Sequence, residues 1–414
     1  MRVKKLSLQN IGPFIEAELD FFNETDEKPP VVLITGENGT GKSIILDAIR
    51  GMFGEHFCKL ERDLPRRGQV DKANIELSLE PENSFLQLSS KVFERRETST
   101  VIHTDSIQIY EMPYQVARGN SAPDWLVDYW PSTTASGSYN VHSLISPKHE
   151  QYLTDSLNGI KAKYEITQLI CHFDYLRDSR DTTERNMGMK LYSMLEQIIA
   201  NSLIDGGKLS HVARATYEPI IIQNGQEVGL ENLSSGNSYL IQNLVALLGK
   251  MYSVHFLRKT PLSELGQTPG LLLIDEAENQ LHPKWQKRFI RTILELFPNL
   301  QIIATTHSPF IISSVPNARL FVCQSRGDHC VVVDETDEYS NKPVDEILMS
   351  PLFEETQPYN EEITQLLEQR EEAIASNNHR LQDEIEAQLK QLNPEAFSYF
   401  DVDKMIQSLA RGGF

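Results

Sequence analysis

The chain has 414 residues, with 58 Asp and Glu against 39 Lys and Arg and a formal net charge of −19. A surface this acidic excludes nonspecific duplex binding over most of its area, because phosphate contact needs clustered cations. With 40% apolar residues the chain has material for one large core, and no apolar run reaches the roughly 18 residues of a membrane span.

From Lys4 to Tyr110 strands are expected to dominate, as the alternation Ile75, Leu77, Leu79 and then Leu86, Leu88 indicates. Within this stretch GENGTGKS, Gly36 to Ser43, follows the apolar run Val31 to Ile34 and opens a helical pattern over Ile44 to Phe53. Strand, glycine loop and helix in that order make a phosphate-binding loop. Gly36, Gly39 and Gly41 let the backbone bend until its N–H groups face phosphate oxygens, and the helix N-terminus adds partial positive charge. Lys42 then reaches the β and γ phosphates, and the Ser43 hydroxyl is placed to ligate Mg²⁺. The bland alternative is a chance glycine turn. Just beyond, Lys59, Arg62, Arg66 and Arg67 are either a solvated loop or a local nucleic-acid contact.

From Asn120 the composition shifts to Ser, Pro, Gly and aromatic residues, including Trp125 and Trp130, and then to helical spacing from His149 to Leu203. Ile166, Leu169, Phe173 and Leu176 form one packing face there. A second lobe resumes near His211. In it, LENLSSGNS puts Ser234 and Gly236 before the helical pattern Tyr239 to Met251, which reads as an N-cap or as a second anion site. LLLIDEAENQLHP then gives a doubly buried strand, Leu271 to Ile274, that ends in two acids. Asp275 suits a hold on Mg²⁺, and Glu276 is placed to accept a proton from the water attacking a γ phosphate; a solvated acidic loop is the alternative.

A helix over Trp285 to Leu296 is expected to join that strand to QIIATTHSP, where Ile302 to Ala304 lead into Thr305, Thr306 and His307. Such a histidine either touches the γ phosphate or is structural. After about Ser340, Ile363, Leu366, Leu367 and Ile374 make one amphipathic stripe and Leu381, Ile385, Leu389 and Leu392 another, with Ser376 to Asn378 between them, a helical hairpin. Cys58, Cys171, Cys323 and Cys330 show no CxxC spacing and read as reduced thiols in a cytoplasmic protein.

The order of P-loop, LSSGN, IDEAE and THSP resembles the ABC-type ATPase head shared by the structural-maintenance, RecF and OLD-like (AAA_21-like) proteins, with THSP and ENQLHPKWQ nearest the OLD-like branch. MRVKKLSLQNIGPF followed by AELDF resembles the opening strand pair of these heads, and RRGQVDKANIELSLE the strand after the first helix. The resemblance spans roughly residues 1–115 and 205–335. It implies an α/β ABC-type P-loop head of two lobes, 1–119 and 205–340, with a helical insertion at 120–204 and a C-terminal helical tail at 341–414.

The resemblance also implies roles. Gly36, Asn38, Gly39, Thr40, Gly41, Lys42 and Ser43 would hold ATP, Ser43 and Asp275 the Mg²⁺, Glu276 would be the general base and His307 the switch histidine. Ser234 and Gly236 would act in trans, so that a complete site needs a homodimer or larger homo-oligomer, and Gln115 would lie near the γ phosphate. Ser235 and Asn237 depart from the glycine and glutamine of transporter heads, which argues against fast turnover. The tail is short for a coiled-coil arm, has no cysteine hook and lacks an evident acidic triad for a Toprim nuclease. The chain thus resembles the stand-alone ATPase subunits of two-component antiphage defence systems such as Septu or PARIS, whose nuclease is a separate HNH or Toprim protein and through which nucleic acid would be met. A RecF-like clamp on gapped DNA is the alternative.

Overall fold

The computed structural model describes residues 2–21, 31–54, 58–80, 86–95, 100–104, 123–160, 162–203, 205–353 and 359–400. Gln115 lies outside them. The chain divides into two units, Met1–Ile347 and Leu348–Phe414.

The first unit is organised by one sheet that changes character halfway across. An antiparallel half comprises β1 (Arg2–Ile11), β2 (Phe14–Asp20), β4 (Asn74–Glu80), β5 (Leu86–Arg95) and β6 (Thr100–Thr104). Their alternation is real: on β4 Ile75, Leu77 and Leu79 are buried and the residues between them are not. A parallel half comprises β3 (Val31–Gly36), β7 (Leu126–Trp130), β11 (Gly270–Ile274), β12 (Leu300–Thr305) and β13 (Arg319–Arg326), and β14 (His329–Asp334) joins the halves. β3, β7, β11 and β12 are buried at every position, as a sheet covered on both faces requires. Among the described residues the strand order is β6-β5-β4-β1-β2-β14-β13-β3-β12-β11-β7. Phosphate-loop, acidic and THSP segments leave the carboxyl ends of β3, β11 and β12, so parallel pairing brings all three to one edge. This is an α/β architecture built on one mixed sheet.

Helices cover the sheet. α1 (Lys42–Gly54) follows the glycine loop, α2 (Tyr164–Arg177) and α3 (Thr182–Asn201) form a helical pair, and α4 (Ser235–Arg258) runs from the LSSGN segment. α5 (Phe289–Leu296) crosses from the acidic strand to β12, and the single helix expected over Trp285 to Leu296 is instead broken at Lys287 and Arg288, with Trp285 in the separate short helix Pro283–Gln286. The remaining strands β8 (Gly207–Ala213), β9 (Glu218–Gln223) and β10 (Gln226–Gly229) make a separate small sheet. α4 alone among the described helices is long and apolar enough to cross a membrane, and 89% of its most apolar window is buried inside the protein. All four cysteines are free and buried.

One expectation needs correction. Leu126–Trp130 falls in the range read as a helical insertion, yet it is strand β7, paired in parallel with β11. Burial on both faces removes the alternation that marks a strand, and Asp128 interrupts its apolar run.

The second unit holds α6 (Glu361–Ala375) and α7 (His379–Leu392), the expected hairpin, with Asn360 and Asn378 capping their first turns. Its core is Ile363, Ala373, Ile385, Leu389, Phe397 and Phe400. Ile374, Leu381 and Leu392, expected in the two stripes, are each 40% or more exposed, because only one flank of each helix is covered.

Candidate nucleotide site

The glycine loop is shaped from behind. Gly36 has φ +133°, and a side chain there would meet the Cys323 carbonyl of β13 at 2.2 Å. Gly41, at φ +96°, is backed by Pro13 and Phe14 from the β1–β2 turn, so the NIGPF segment presses the loop into place. Gly39, at φ +82°, has open space where a Cβ would point, and with Asn38 it forms the exposed rim. Thr40 Oγ1 donates to the Glu37 carbonyl at 2.8 Å and pins the turn. The N–H groups from Gly39 to Ser43 meet no acceptor among the described residues. Unpaired donors on a glycine loop at a helix N-terminus fit a polyphosphate. Lys42, 7% exposed, donates to the Gly36 and Glu37 carbonyls at 2.9 and 2.7 Å, and burial lowers its pKa.

Facing the loop is an acid cluster. Asp275, 1% exposed, accepts from Ser43 Oγ and Thr305 Oγ1 on one oxygen, both at 2.8 Å, while Arg62 reaches the other at 3.4 Å. Three segments distant in sequence thus converge on one carboxylate, which with Ser43 is the oxygen donor pair that fits Mg²⁺. Glu276 has φ +52°, a left-handed conformation unusual for a residue with a side chain. Its N–H donates to Thr305 Oγ1 at 2.7 Å, which holds the backbone in that turn. Its carboxyl opens toward solvent; partial desolvation, then the charges of Asp275 and Glu278, raises its pKa.

His307 is half-buried, and burial together with the Lys42 charge lowers its pKa, which favours the neutral ring. Its segment is held by a residue the sequence reading passed over. Glu278 accepts from Thr306 Oγ1 and from the His307 N–H, both at 2.7 Å. The only sequence signal was its place in IDEAE, two residues past the base candidate.

The basic cluster is partly used within the chain. Arg62 bridges Asp47 on α1 at 2.9 Å and Asp275, and Arg66 donates to the Pro13 and Asp328 carbonyls. Two of the four cations are therefore engaged within the chain, although Arg62, like Lys59 and Arg67, is exposed.

Ser234 caps α4, accepting from the Asn237 N–H at 3.4 Å, and both Ser234 and Ser235 are exposed. Gly236 lies against the Gln280 carbonyl, 3.0 Å from where its Cβ would be, and Asn237 Oδ1 accepts from Trp285 Nε1 at 3.0 Å. These residues form no hydrogen bond with the glycine loop of their own chain.

Known proteins are similar to this chain in sequence. The Septu protein PtuA of Bacillus thuringiensis is 29% identical over 331 residues, covering 75% of this chain and 73% of that protein. The retron Vc95 probable ATPase of Vibrio cholerae serotype O1 biovar El Tor is 22% identical over 441 aligned positions, covering 89% and 84%. Among solved structures, the SMC head domain from Thermotoga maritima superposes with a TM-score of 0.45 at 18% identity, covering 81% of this chain and 99% of that one. The profile described as "AAA domain, putative AbiEii toxin, Type IV TA system" matches residues 31–313, from the first residue of β3 to just past the THSP segment, and the chain therefore belongs to this AAA_21 family of ATPases.

Proposed function

We propose that the chain is the ATP-binding and hydrolysing subunit of a two-component antiphage defence complex in the cytoplasm, which self-associates around shared nucleotides and controls a separate nuclease. The observation that carries the site assignment is the single carboxylate, Asp275, that receives both Ser43 and Thr305 while Glu276 is turned out beside it. Similarity to the Septu protein PtuA and to a retron ATPase supports the defence setting.

In this reading the orphan N–H groups from Gly39 to Ser43 take the phosphate oxygens, and Lys42 turns from its two carbonyls to the β and γ phosphates. Ser43 and Asp275 hold Mg²⁺, which supplies charge neutralisation at the phosphate oxygens when bound. Glu276, whose raised pKa makes it a better proton acceptor than an ordinary glutamate, takes the proton of the attacking water. Neutral His307 donates a hydrogen bond to the γ phosphate and relays its presence to the segment behind it. Ser234 is exposed on its own subunit and, with the buried Gly236 shaping the turn behind it, completes the site of another. A RecF-like clamp is weakened by the internal use of Arg62 and Arg66.

Glu276→Gln tests this directly. It is expected to lower ATP turnover by at least about a hundredfold, the scale of a lost general base, while ATP converts the protein to a dimer or larger particle by light scattering. Retained turnover, or an unchanged particle size with ATP, would refute the assignment. Co-purification with the products of neighbouring genes tests the nuclease partner, and isolation of the chain alone would count against it.

A further inference from the structure

The short helix Pro283–Gln286, in the HPKWQ segment, touches two functional elements through adjacent residues. Trp285, 3% exposed, donates its indole N–H to Asn237 Oδ1 in the first turn of α4, and its ring lies 3.7 Å from the Cβ position of Gly236. Gln286 turns the other way. Its Oε1 accepts from Ser308 Oγ at 2.6 Å, one residue past His307, and its Nε2 donates to the Leu281 carbonyl at 2.8 Å. Ser308 Oγ in turn accepts from the Phe310 N–H at 3.1 Å, so Gln286 holds the end of the THSP turn while Glu278 holds Thr306 and His307.

The opposite flank of the α4 first turns is fixed independently. Tyr139 and Ser238 share a hydrogen bond between their hydroxyls, and Gln242 Nε2 donates to both oxygens at 2.6 and 2.8 Å. Glu231 accepts from the Tyr139 N–H at 2.7 Å and Ser138 Oγ at 2.8 Å. These bonds tie the first turns of α4 to the Ser138–Tyr139 segment as well as to Trp285.

We propose that Trp285 and Gln286 are positioning residues that couple the two nucleotide-facing elements of one subunit: Gln286 follows the His307 turn, and Trp285 sets the LSSGN turn accordingly. The subunit's own γ phosphate then adjusts the face it offers to another subunit's nucleotide. Asn237 fits this use, because its side-chain oxygen accepts from Trp285 in the first turn of α4. The inference rests on the trans role of LSSGN proposed above.

The test uses full-length Glu276→Gln protein, kept dilute enough to remain monomeric, with amide exchange followed across residues 235–241. Adding ATP is expected to change exchange there roughly tenfold, the effect of one buried hydrogen bond made or lost. In Trp285→Phe, which keeps the ring and removes the donor, and in Gln286→Leu, that ATP-dependent change disappears, while affinity for a fluorescent ATP analogue stays within about twofold, because neither residue borders the glycine loop. Asn237→Ala reproduces Trp285→Phe, and the double variant adds nothing further. An undiminished ATP-dependent change in either single variant, or no change in the dilute parent, overturns the coupling. Failure of concentrated parent to self-associate with ATP would instead remove the trans reading, so the two failures are separable.

Discussion

At the residue scale, three carboxylates within four positions have been given different environments. Asp275 is buried and fully engaged, Glu278 is tied to the His307 turn, and Glu276 is left open with its pKa raised by partial desolvation and by its two acidic neighbours. With Glu276 as the proposed base, which must be ionised to accept a proton, turnover is expected to fall on the acid side with an apparent pKa above the ordinary 4.5. Glu278→Gln removes one of the like charges, so this acid limb should move to lower pH, as a pH–rate profile would show. An unmoved limb would mean that Glu276 does not set it. That variant should also lower the maximal rate, since the amide replaces an acceptor of two hydrogen bonds. Lys42, Ser43, Asp275 and Glu276 were legible in the sequence because a strand, a short loop and fixed spacing carry them. Arg62, Glu278 and Gln286 were not, because their meaning lies in contacts with residues far along the chain, set by the register of β11 against β12.

At the element scale, α4 and β7 are joined by a buried ion pair between Lys250 and Asp128, which are 5% and 0% exposed. Asp128 also accepts from the Tyr129 N–H and from Trp130 Nε1, both at 3.0 Å, so its charge is well satisfied. The next strand depends on it, since the Trp130 carbonyl accepts from the Asp275 N–H at 2.9 Å. Lys250→Met leaves that carboxylate without its cation and should cost roughly 3 kcal/mol of stability, measurable as a lower urea midpoint. A loss below about 1 kcal/mol would show that the remaining donors suffice. The same pair explains why β7 was misread. A charged residue in a five-residue strand argues against a doubly buried strand unless its partner is known, and the partner sits 122 positions later. By contrast α1, α4, α5 and the hairpin of α6 and α7 were legible, because their periodicity and caps are local.

At the scale of the whole molecule, the core of Leu348–Phe414 is made of its own residues and the nucleotide site lies within Met1–Ile347. Truncation after Ile347 is therefore expected to leave affinity for a fluorescent ATP analogue within about twofold of the full chain; a loss beyond tenfold in titration would contradict the division. The first unit itself is stitched from distant parts of the chain. β13 and β14, from residues beyond 318, lie between β2 and β3, and Gln301 on β12 both accepts from the Val3 N–H and donates to the Val3 carbonyl. On the ribosome, β3 therefore has neither of its lateral neighbours until about three quarters of the polypeptide has been made. The nascent N-terminal lobe must wait with apolar strand edges unpaired, the state in which slow, non-local folding invites aggregation or chaperone capture. Synthesis of the last strands is thus the event that first creates a nucleotide-competent protein, and a prematurely terminated product carries the glycine loop without the wall that shapes it.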